Sequence, residues 1–195
     1  MSSPLPASNV ALTVKDICKS YGETVAAGPL SFSLTVDSTT GLLGSNGAGK
    51  TTTIGMIMGL IEPTSGSIRV FGRDMAHERH HVLGRMNFES PYVDMPHRLT
   101  VRQNLRVFAR LYGITDIEGK IARLAEDLAL AEFIDRASGS LSAGQKTRVA
   151  LAKALINDPE LLLLDELTAS LGGLGARLSR VASPRPQLHH PARLA

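Results

Sequence analysis

The chain has too few cysteines for an internal disulfide, and it has no apolar run long enough to cross a bilayer. Cys18 is its single cysteine, which fits a reducing compartment. The longest apolar run, Ile54 to Ile61, is interrupted by glycines, whereas a membrane helix needs about 20 residues. Residues Met1 to Val10 lack the basic start and long apolar centre of a secretory signal. We therefore expect a cytoplasmic chain that does not span a membrane by itself.

Acidic residues are absent from the last part of the chain, and this explains its overall charge. The net charge of +3 and the pI near 9.2 would fit a nucleic-acid-binding protein. Residues 172–195, however, contain four arginines and no Lys, Asp or Glu, so the rest of the chain is slightly acidic. We therefore expect no nucleic-acid partner. The 195 residues, 43% of them hydrophobic, are enough for one domain with a sizeable core.

A glycine-rich stretch, GSNGAGKTT from Gly44 to Thr52, fits the phosphate-binding loop pattern of Gly, four residues, then Gly-Lys-Ser/Thr. Its glycines let backbone N–H groups curl closely around phosphates. Lys50 can reach the β- and γ-phosphates, and the Thr51 hydroxyl is placed to bind Mg²⁺. The pattern therefore predicts a nucleotide site, the alternative being a glycine-rich turn that matches by chance.

The segments around this loop have the order that a nucleotide site requires. Thr40 to Leu43 is predicted to end a short buried strand, and Thr51 to Leu60 is predicted to form a mostly apolar helix. Upstream, Ala11 to Ile17 and Leu30 to Val36 alternate apolar and polar residues, which predicts the two strands of a hairpin or meander. Downstream, Ser67 to Phe71 is predicted to form another short strand.

Two helical patterns follow in the middle of the chain. Apolar residues recur at helical spacing after Thr100, which is a plausible N-cap, and a second pattern covers Ile117 to Leu130. Their outer faces are rich in charge. We interpret them as a helical insert that packs and carries no chemistry of its own.

The segment His77 to His81 matches the zinc-protease pattern of His-Glu, two residues, then His. Zinc catalysis also needs a third ligand and an enclosed site. The residues around this segment are polar and charged, so the preferred interpretation is a solvated helix or loop with exposed histidines.

Two further motifs lie downstream. The sequence LSAGQ opens a helix with Ser142 as its predicted N-cap, and the helix N-terminus could bind a phosphate or simply be a capped end. The run Leu161 to Leu164 then predicts a buried parallel strand that delivers Asp165 and Glu166 to its carboxyl end. There Asp165 can hold Mg²⁺ and Glu166 can orient or deprotonate water.

These three motifs, in this order, resemble the nucleotide-binding domain of ATP-binding cassette (ABC) transporters. GSNGAGKTT is similar to Walker A, LSAGQ to the signature motif and LLLLDE to Walker B. The resemblance implies an α/β P-loop NTPase core, a mostly parallel sheet with an N-terminal antiparallel part, plus a helical subdomain. It covers residues 10–171, with the helical subdomain at about 88–157.

The resemblance also implies site residues and cofactors, namely ATP and Mg²⁺. Thr51 and Asp165 would hold Mg²⁺, and Glu166 with Lys50 would be the catalytic residues. Ser142, Gly144 and Gln145 would contact the ATP of a second cassette in trans. The remaining ATP contacts would come from the adenine-stacking Tyr21 and from the loop residues Gly44, Ser45, Asn46, Gly47, Ala48, Gly49, Lys50, Thr51 and Thr52.

The partners implied are a second cassette, as a homodimer or a related subunit, and a transmembrane permease subunit. The chain would then be cytoplasmic and peripheral on the inner face of the cell membrane. It would bind and hydrolyse ATP to drive transport. The alternatives are a truncated ATP-binding module with little or no hydrolysis, and a soluble ABC protein that acts on ribosomes or DNA.

The sequence departs from the family pattern at three places. Glu89 lies near the position where the family's Q-loop glutamine is expected, and could substitute for it. The D-loop region at Leu167 to Gly172 lacks the usual proline and aspartate. By comparison with the family pattern, we expect the C-terminal part of the core to be missing after Walker B, and residues 172–195 are predicted to be a disordered extension or the product of a shifted reading frame. His189 and His190 are poor candidates for the family's switch histidine, because no apolar strand leads into them.

Overall fold

An antiparallel sheet of four strands forms the first layer of the fold. The structure is a computed structural model that describes residues 9–42, 44–45, 47–90 and 95–165. Strands β1 (Val10–Tyr21) and β2 (Thr24–Thr35) form the predicted hairpin, which turns at Gly22 with φ of 59°. Strands β3 (Ser65–Val70) and β4 (Arg73–Asp74) complete the order β2-β1-β3-β4.

A parallel pair of strands forms the second sheet. Strand β5 (Met86–Glu89) pairs in parallel with β6 (Leu161–Leu164), so that Glu89 lies opposite Leu164 at the carboxyl ends. This confirms the parallel strand predicted from the run of leucines. Helix α1 (Lys50–Ile57) contributes to the core that this pair shares with the antiparallel sheet. That core includes Leu12, Val14, Ile17, Met56, Ile57, Ile68, Val70, Met86 and Leu161.

Three helices form a separate core. They are α2 (Val101–Leu111), α3 (Ile117–Asp127) and α4 (Ala143–Ala154). Their apolar sides pack together with the segment between α3 and α4, and the buried side chains include Val101, Leu105, Ile121, Leu124, Leu130, Phe133, Val149, Leu151 and Ile156. The helical insert predicted from periodicity is therefore present.

Two of these helices begin with reciprocal side-chain caps. Thr100 Oγ1 accepts from the Gln103 amide at 3.2 Å, and Gln103 Oε1 accepts from the Thr100 amide at 2.9 Å. Ser142 and Gln145 make the same pair of bonds at the start of α4, at 3.3 and 3.0 Å. Each box satisfies backbone N–H groups that the first helical turn leaves without partners. Both predicted N-caps are confirmed.

The strand predicted at Thr40 to Leu43 is wrong for the described part of that segment. Residues 40–42 form no strand and are exposed, with Leu42 40% accessible. A strand persists only where a neighbour accepts its backbone hydrogen bonds. Within the described ranges, the sheets contain only β1 to β6, and none of these strands pairs with residues 40–42.

The architecture as a whole agrees with the predicted class. It combines an antiparallel part, a parallel pair and a helical unit. Strand β5 extends to Glu89, so the helical unit begins beyond the first two residues of the range predicted for it. The D-loop departure, His189 with His190 and the tail at 172–195 lie outside the described residues, and those interpretations stay predictions.

Candidate functional site

The phosphate loop lies tightly against the second strand. Gly47 and Gly49 have φ of 85° and 79°, a conformation that residues with a Cβ rarely adopt. A Cβ on Gly49 would lie 2.4 Å from the carbonyl oxygen of Ala26 in β2. The loop can therefore approach β2 this closely only with glycine at position 49. Asn46, which was predicted to contribute to this loop, lies outside the described residues.

Lys50 is at the start of α1, and its side chain extends back across the phosphate loop. Its ammonium donates to the carbonyl oxygens of Gly44 at 2.7 Å and Ser45 at 2.8 Å. Helix α1 has no side-chain cap and no acidic residue in its first turn, so its first N–H groups and its dipole are suited to an anion. Beside the loop is a shallow cavity of ≈ 190 Å³ lined by Gly28, Pro29, Leu30, Leu42, Ala48, Lys50 and Thr53. These features fit a bound phosphate chain.

Thr51, on the first turn of α1, and Asp165, directly after β6, are in contact although they lie far apart in the sequence. The Thr51 hydroxyl donates to Asp165 Oδ2 at 3.1 Å. Asp165 is only 5% exposed and follows β6, while Thr51 is exposed on the first turn of α1. Mg²⁺ typically takes one or two protein oxygens and completes its shell with phosphate and water. This pair of oxygens fits that requirement, and Glu166, the predicted base, lies outside the described residues.

Tyr21 is placed at the tip of the hairpin. Its side chain is 58% exposed, and Lys19 Nζ lies 5.0 Å from the ring centroid. An exposed aromatic face is available for stacking on a base. The role of Tyr21 as the adenine contact stays a prediction.

The LSAGQ motif places its polar end at the surface. Ser142 and Gly144 are exposed, and a Cβ on Gly144 would meet no atom within 4 Å. Gln145 is half-buried and its side chain belongs to the cap with Ser142. The exposed helix start leaves room for a second molecule, which is what contact in trans would require.

Glu89 and Lys153 form a buried ion pair behind the carboxyl end of β5. Lys153 Nζ lies 2.8 Å from Glu89 Oε2, off hydrogen-bond geometry but within ion-pair distance. The two side chains are 2% and 8% exposed. Burial raises the pKa of Glu89, against the opposing effects of Lys153 and of the Ser90 backbone N–H. The carboxylate that could substitute for the family's Q-loop glutamine is therefore paired with a lysine of α4.

Sequence reasoning missed Lys153, although a signal was present. Val149 is buried on α4 and Ile156 is buried just beyond the end of that helix, and Lys153 falls between them at helical spacing. A lysine on the buried side of a helix needs a charged partner. That spacing could have prompted a search for an acid such as Glu89.

The His77 to His81 segment does not form the arrangement that a zinc protease requires. It consists of a turn followed by one short 3₁₀ turn, Arg79–His81, so no α-helix places its histidines on one face. Glu78 pairs instead with Arg73 at 2.8 Å. No cluster of three potential metal ligands occurs among the described residues. The contacts favour a solvated segment.

A comparison with models of protein families shows which family this chain belongs to. The family model described as ABC transporter matches residues 27–169. The chain belongs to the ABC transporter family. The matched range includes the phosphate loop, LSAGQ and Asp165.

Two curated relatives of this ABC protein carry the same name. Nod factor export ATP-binding protein I of Burkholderia orbicola (strain AU 1054) is 39% identical over 159 residues, which is 80% of this chain and 52% of that protein. The protein of that name from Sinorhizobium fredii (strain NBRC 101917 / NGR234) is 37% identical over 166 residues, which is 84% of this chain and 48% of that protein. The chain thus spans about half the length of the curated relatives it matches.

Solved structures share the fold of this ABC protein. An ATP-binding subunit of an ABC transporter superposes with a TM-score of 0.74 at 26% identity, over 88% of this chain and 75% of that chain. A dimeric ATP-binding cassette in a post-hydrolysis state with ADP and Pi gives 0.72 at 21% identity, over 88% and 79%. The second likeness concerns the fold alone. In the described part of this chain, we find no helix with the length and apolar character of a membrane span.

Proposed function

We propose that this chain is the ATP-binding subunit of an ABC transporter, and that it binds Mg-ATP and hydrolyses it to drive transport through a separate membrane subunit. The observation that carries the proposal is the meeting of Thr51 with Asp165 beside the phosphate loop. Family membership supports the same conclusion. The working unit would be residues 10–171, with a helical subdomain that begins after Glu89 and ends at about residue 157.

The residues of the loop and its surroundings divide the work of binding. Backbone N–H groups and Lys50 hold the phosphates, and Tyr21 stacks on the adenine. Thr51 and Asp165 hold Mg²⁺. When bound, Mg²⁺ neutralises charge that develops on the transferred phosphoryl group. Glu166 accepts a proton from the attacking water.

A second cassette completes the site. Ser142, Gly144 and Gln145 of one chain would close over the ATP held by the other, because the exposed start of α4 presents N–H groups and the positive end of a dipole. A dimer is proposed because the LSAGQ end of one chain would act on the ATP held by the other chain. No nucleic-acid partner is proposed, because the net positive charge of the sequence comes from the arginines of residues 172–195.

A transmembrane permease subunit is the remaining partner, and it would hold the chain on the inner face of the membrane. The names of the curated relatives specify export, which favours export as the direction of transport. The transported substrate would be selected by the membrane subunit.

The decisive test of turnover uses Glu166→Gln in the full chain. ATP-dependent phosphate release should fall to background, while ATP binding persists and a dimer accumulates on a sizing column, because the site closes but the water is not activated. Exposed Glu132 provides the control, and Glu132→Gln should release phosphate at the normal rate. If the unaltered chain binds ATP but releases no phosphate, it is a binding module. If Glu166→Gln hydrolyses ATP normally, the assigned role is wrong.

A further inference from the structure

The Glu89–Lys153 pair connects the sheet core with the helical core, as does Leu162 of β6, which packs against the helical core. Glu89 ends β5 in the parallel sheet, whereas Lys153 lies near the end of α4, the helix that begins with LSAGQ. Their charged atoms are 2.8 Å apart, and both residues are buried. The Phe108 ring, 5.6 Å from the ammonium, also faces Lys153. The pair is therefore a direct charged link between the helical unit and the sheet.

The backbone of Glu89 is also hydrogen-bonded to Asp165, the proposed metal-binding residue. The Asp165 backbone N–H donates to the carbonyl oxygen of Glu89 at 2.9 Å. The Asp165 carboxylate in turn accepts from the Thr51 hydroxyl at 3.1 Å. Three successive contacts thus connect Lys153 on α4 with Thr51 on α1.

The burial of this pair restricts where the Glu89 carboxylate can point. Two opposite charges removed from water are tolerated only while they remain together, because separation leaves each one without compensation. A carboxylate held in this way cannot turn toward a metal without leaving the ammonium unpaired. The geometry therefore opposes a metal-ligand role for Glu89.

We propose that Glu89 and Lys153 are a positioning pair, which fixes the end of β5 against α4 and so orients Asp165 for Mg²⁺, and that Glu89 is not itself a metal ligand. This inference rests on the proposed binding of Mg-ATP. It assigns the link between the LSAGQ helix and the metal site to a charged contact that Glu89 makes with its side chain.

The test measures how strongly Mg²⁺ improves ATP binding, as the ratio of dissociation constants in EDTA and in excess Mg²⁺, by titration calorimetry on the full chain. Glu89→Gln and Lys153→Met should each lower this ratio by about fivefold, a size typical of coupling through packed contacts. The direction in which Lys153→Met changes this ratio is decisive. If Glu89 were a metal ligand, freeing its carboxylate from Lys153 would raise the ratio instead.

A matched control comes from a second buried lysine. Lys120 is 7% exposed in its side chain and pairs with Asp158, away from Asp165. Lys120→Met and Lys153→Met should both lower the melting temperature, but Lys120→Met should leave the Mg²⁺ ratio unchanged. A purely structural role for Lys153 would give the two variants the same unchanged ratio, and that result would overturn the proposal.

A double variant provides the same measurement if a single variant does not fold. Glu89→Gln with Lys153→Met leaves no unpaired buried charge, yet it lacks the link, so its ratio should also fall. A normal ratio in the double variant would overturn the proposal. Lys153→Arg keeps the charge, so this variant should retain much of the Mg²⁺ ratio of the unaltered chain.

The same titrations separate this inference from the proposed function. If the unaltered chain binds no ATP, or binds it without help from Mg²⁺, the proposed function fails. If the unaltered chain shows the Mg²⁺ effect and the variants share it fully, only the positioning role fails.

Discussion

The Thr51 hydroxyl lies 3.1 Å from the Asp165 carboxylate although the two residues are 114 positions apart. Thr51 lies on the first turn of α1 and Asp165 directly follows strand β6, so the contact brings the two predicted Mg²⁺ partners to one place. A hydroxyl and a carboxylate are the hard oxygen donors that Mg²⁺ uses beside phosphates. The contact is the observation on which the proposed Mg-ATP site rests.

Asp165→Asn tests the metal role of this pair. The amide keeps an oxygen that can accept from Thr51 but loses the charge that attracts Mg²⁺. We expect Mg²⁺ to improve ATP affinity at least about tenfold less than in the unaltered chain, with ATP affinity in EDTA unchanged or slightly higher. Titration calorimetry measures both quantities.

Exposed Asp37 gives the control for this change. Asp37 has φ of 57°, a conformation that asparagine also tolerates, so Asp37→Asn should leave the fold and the Mg²⁺ effect intact. An Asp165→Asn protein with the full Mg²⁺ effect would show that the metal is bound elsewhere.

Variants of the two capping boxes distinguish an effect on helix stability from an effect on contact with a second chain. Ser142→Ala and Thr100→Ala should each cost about 1 kcal/mol of unfolding free energy, because each removes one side-chain acceptor at a helix start. Only Ser142→Ala should also weaken the ATP-dependent dimer, which the Glu166→Gln background makes measurable on a sizing column. Equal dimerisation by both variants would remove Ser142 from the proposed interface.

A surface ion pair gives a pH-dependent prediction. Arg85 Nε and Nη2 donate to the two Glu160 oxygens at 2.5 and 2.6 Å. The hydrogen bond from Arg85 lowers the pKa of Glu160 from its usual 4.5. A carboxyl whose pKa is depressed by folding adds stability above its unfolded pKa and loses it as the pH falls through the folded value.

Glu160→Gln should therefore reduce stability near neutral pH by less than about 1 kcal/mol, since the Glu160 side chain is 52% exposed. The difference from the unaltered chain should shrink as the pH falls below 4.5. Thermal melts between pH 3 and pH 7 would measure it, with Glu132→Gln as the exposed control. A stability difference that grows in acid would contradict a lowered pKa for Glu160.

Local signals predicted the parts of the fold that depend on a few neighbouring residues. The caps at Thr100 and Ser142 were predictable because a side chain bonds the backbone three residues ahead. The strand at Leu161 to Leu164 was predictable from its apolar run before two acids. Thr51 and Asp165 were both predicted as Mg²⁺ partners, but their distance depends on the assembled core.

Features that depend on distant partners were not predictable in the same way. Residues 40–42 have the sequence of a strand end, but no strand beside them in the described core pairs with them. Glu89 was interpreted from its position alone. The helical spacing of Lys153 indicates that this lysine needs a charged partner, but it does not identify Glu89, 64 residues earlier, as that partner. In both cases the outcome depends on tertiary contacts that local patterns do not contain.

The most direct measurement for the central claim is ATP binding by the full chain in Mg²⁺, compared with Lys50→Ala. The Lys50 ammonium lies across the phosphate loop, and its removal deletes the charge that reaches the phosphates. We predict saturable binding by the unaltered chain, a loss of at least about tenfold in Lys50→Ala, and no loss in the exposed control Lys15→Ala. Undetectable binding by the unaltered chain, or equal binding by all three proteins, would contradict the assignment of a Mg-ATP site to this loop.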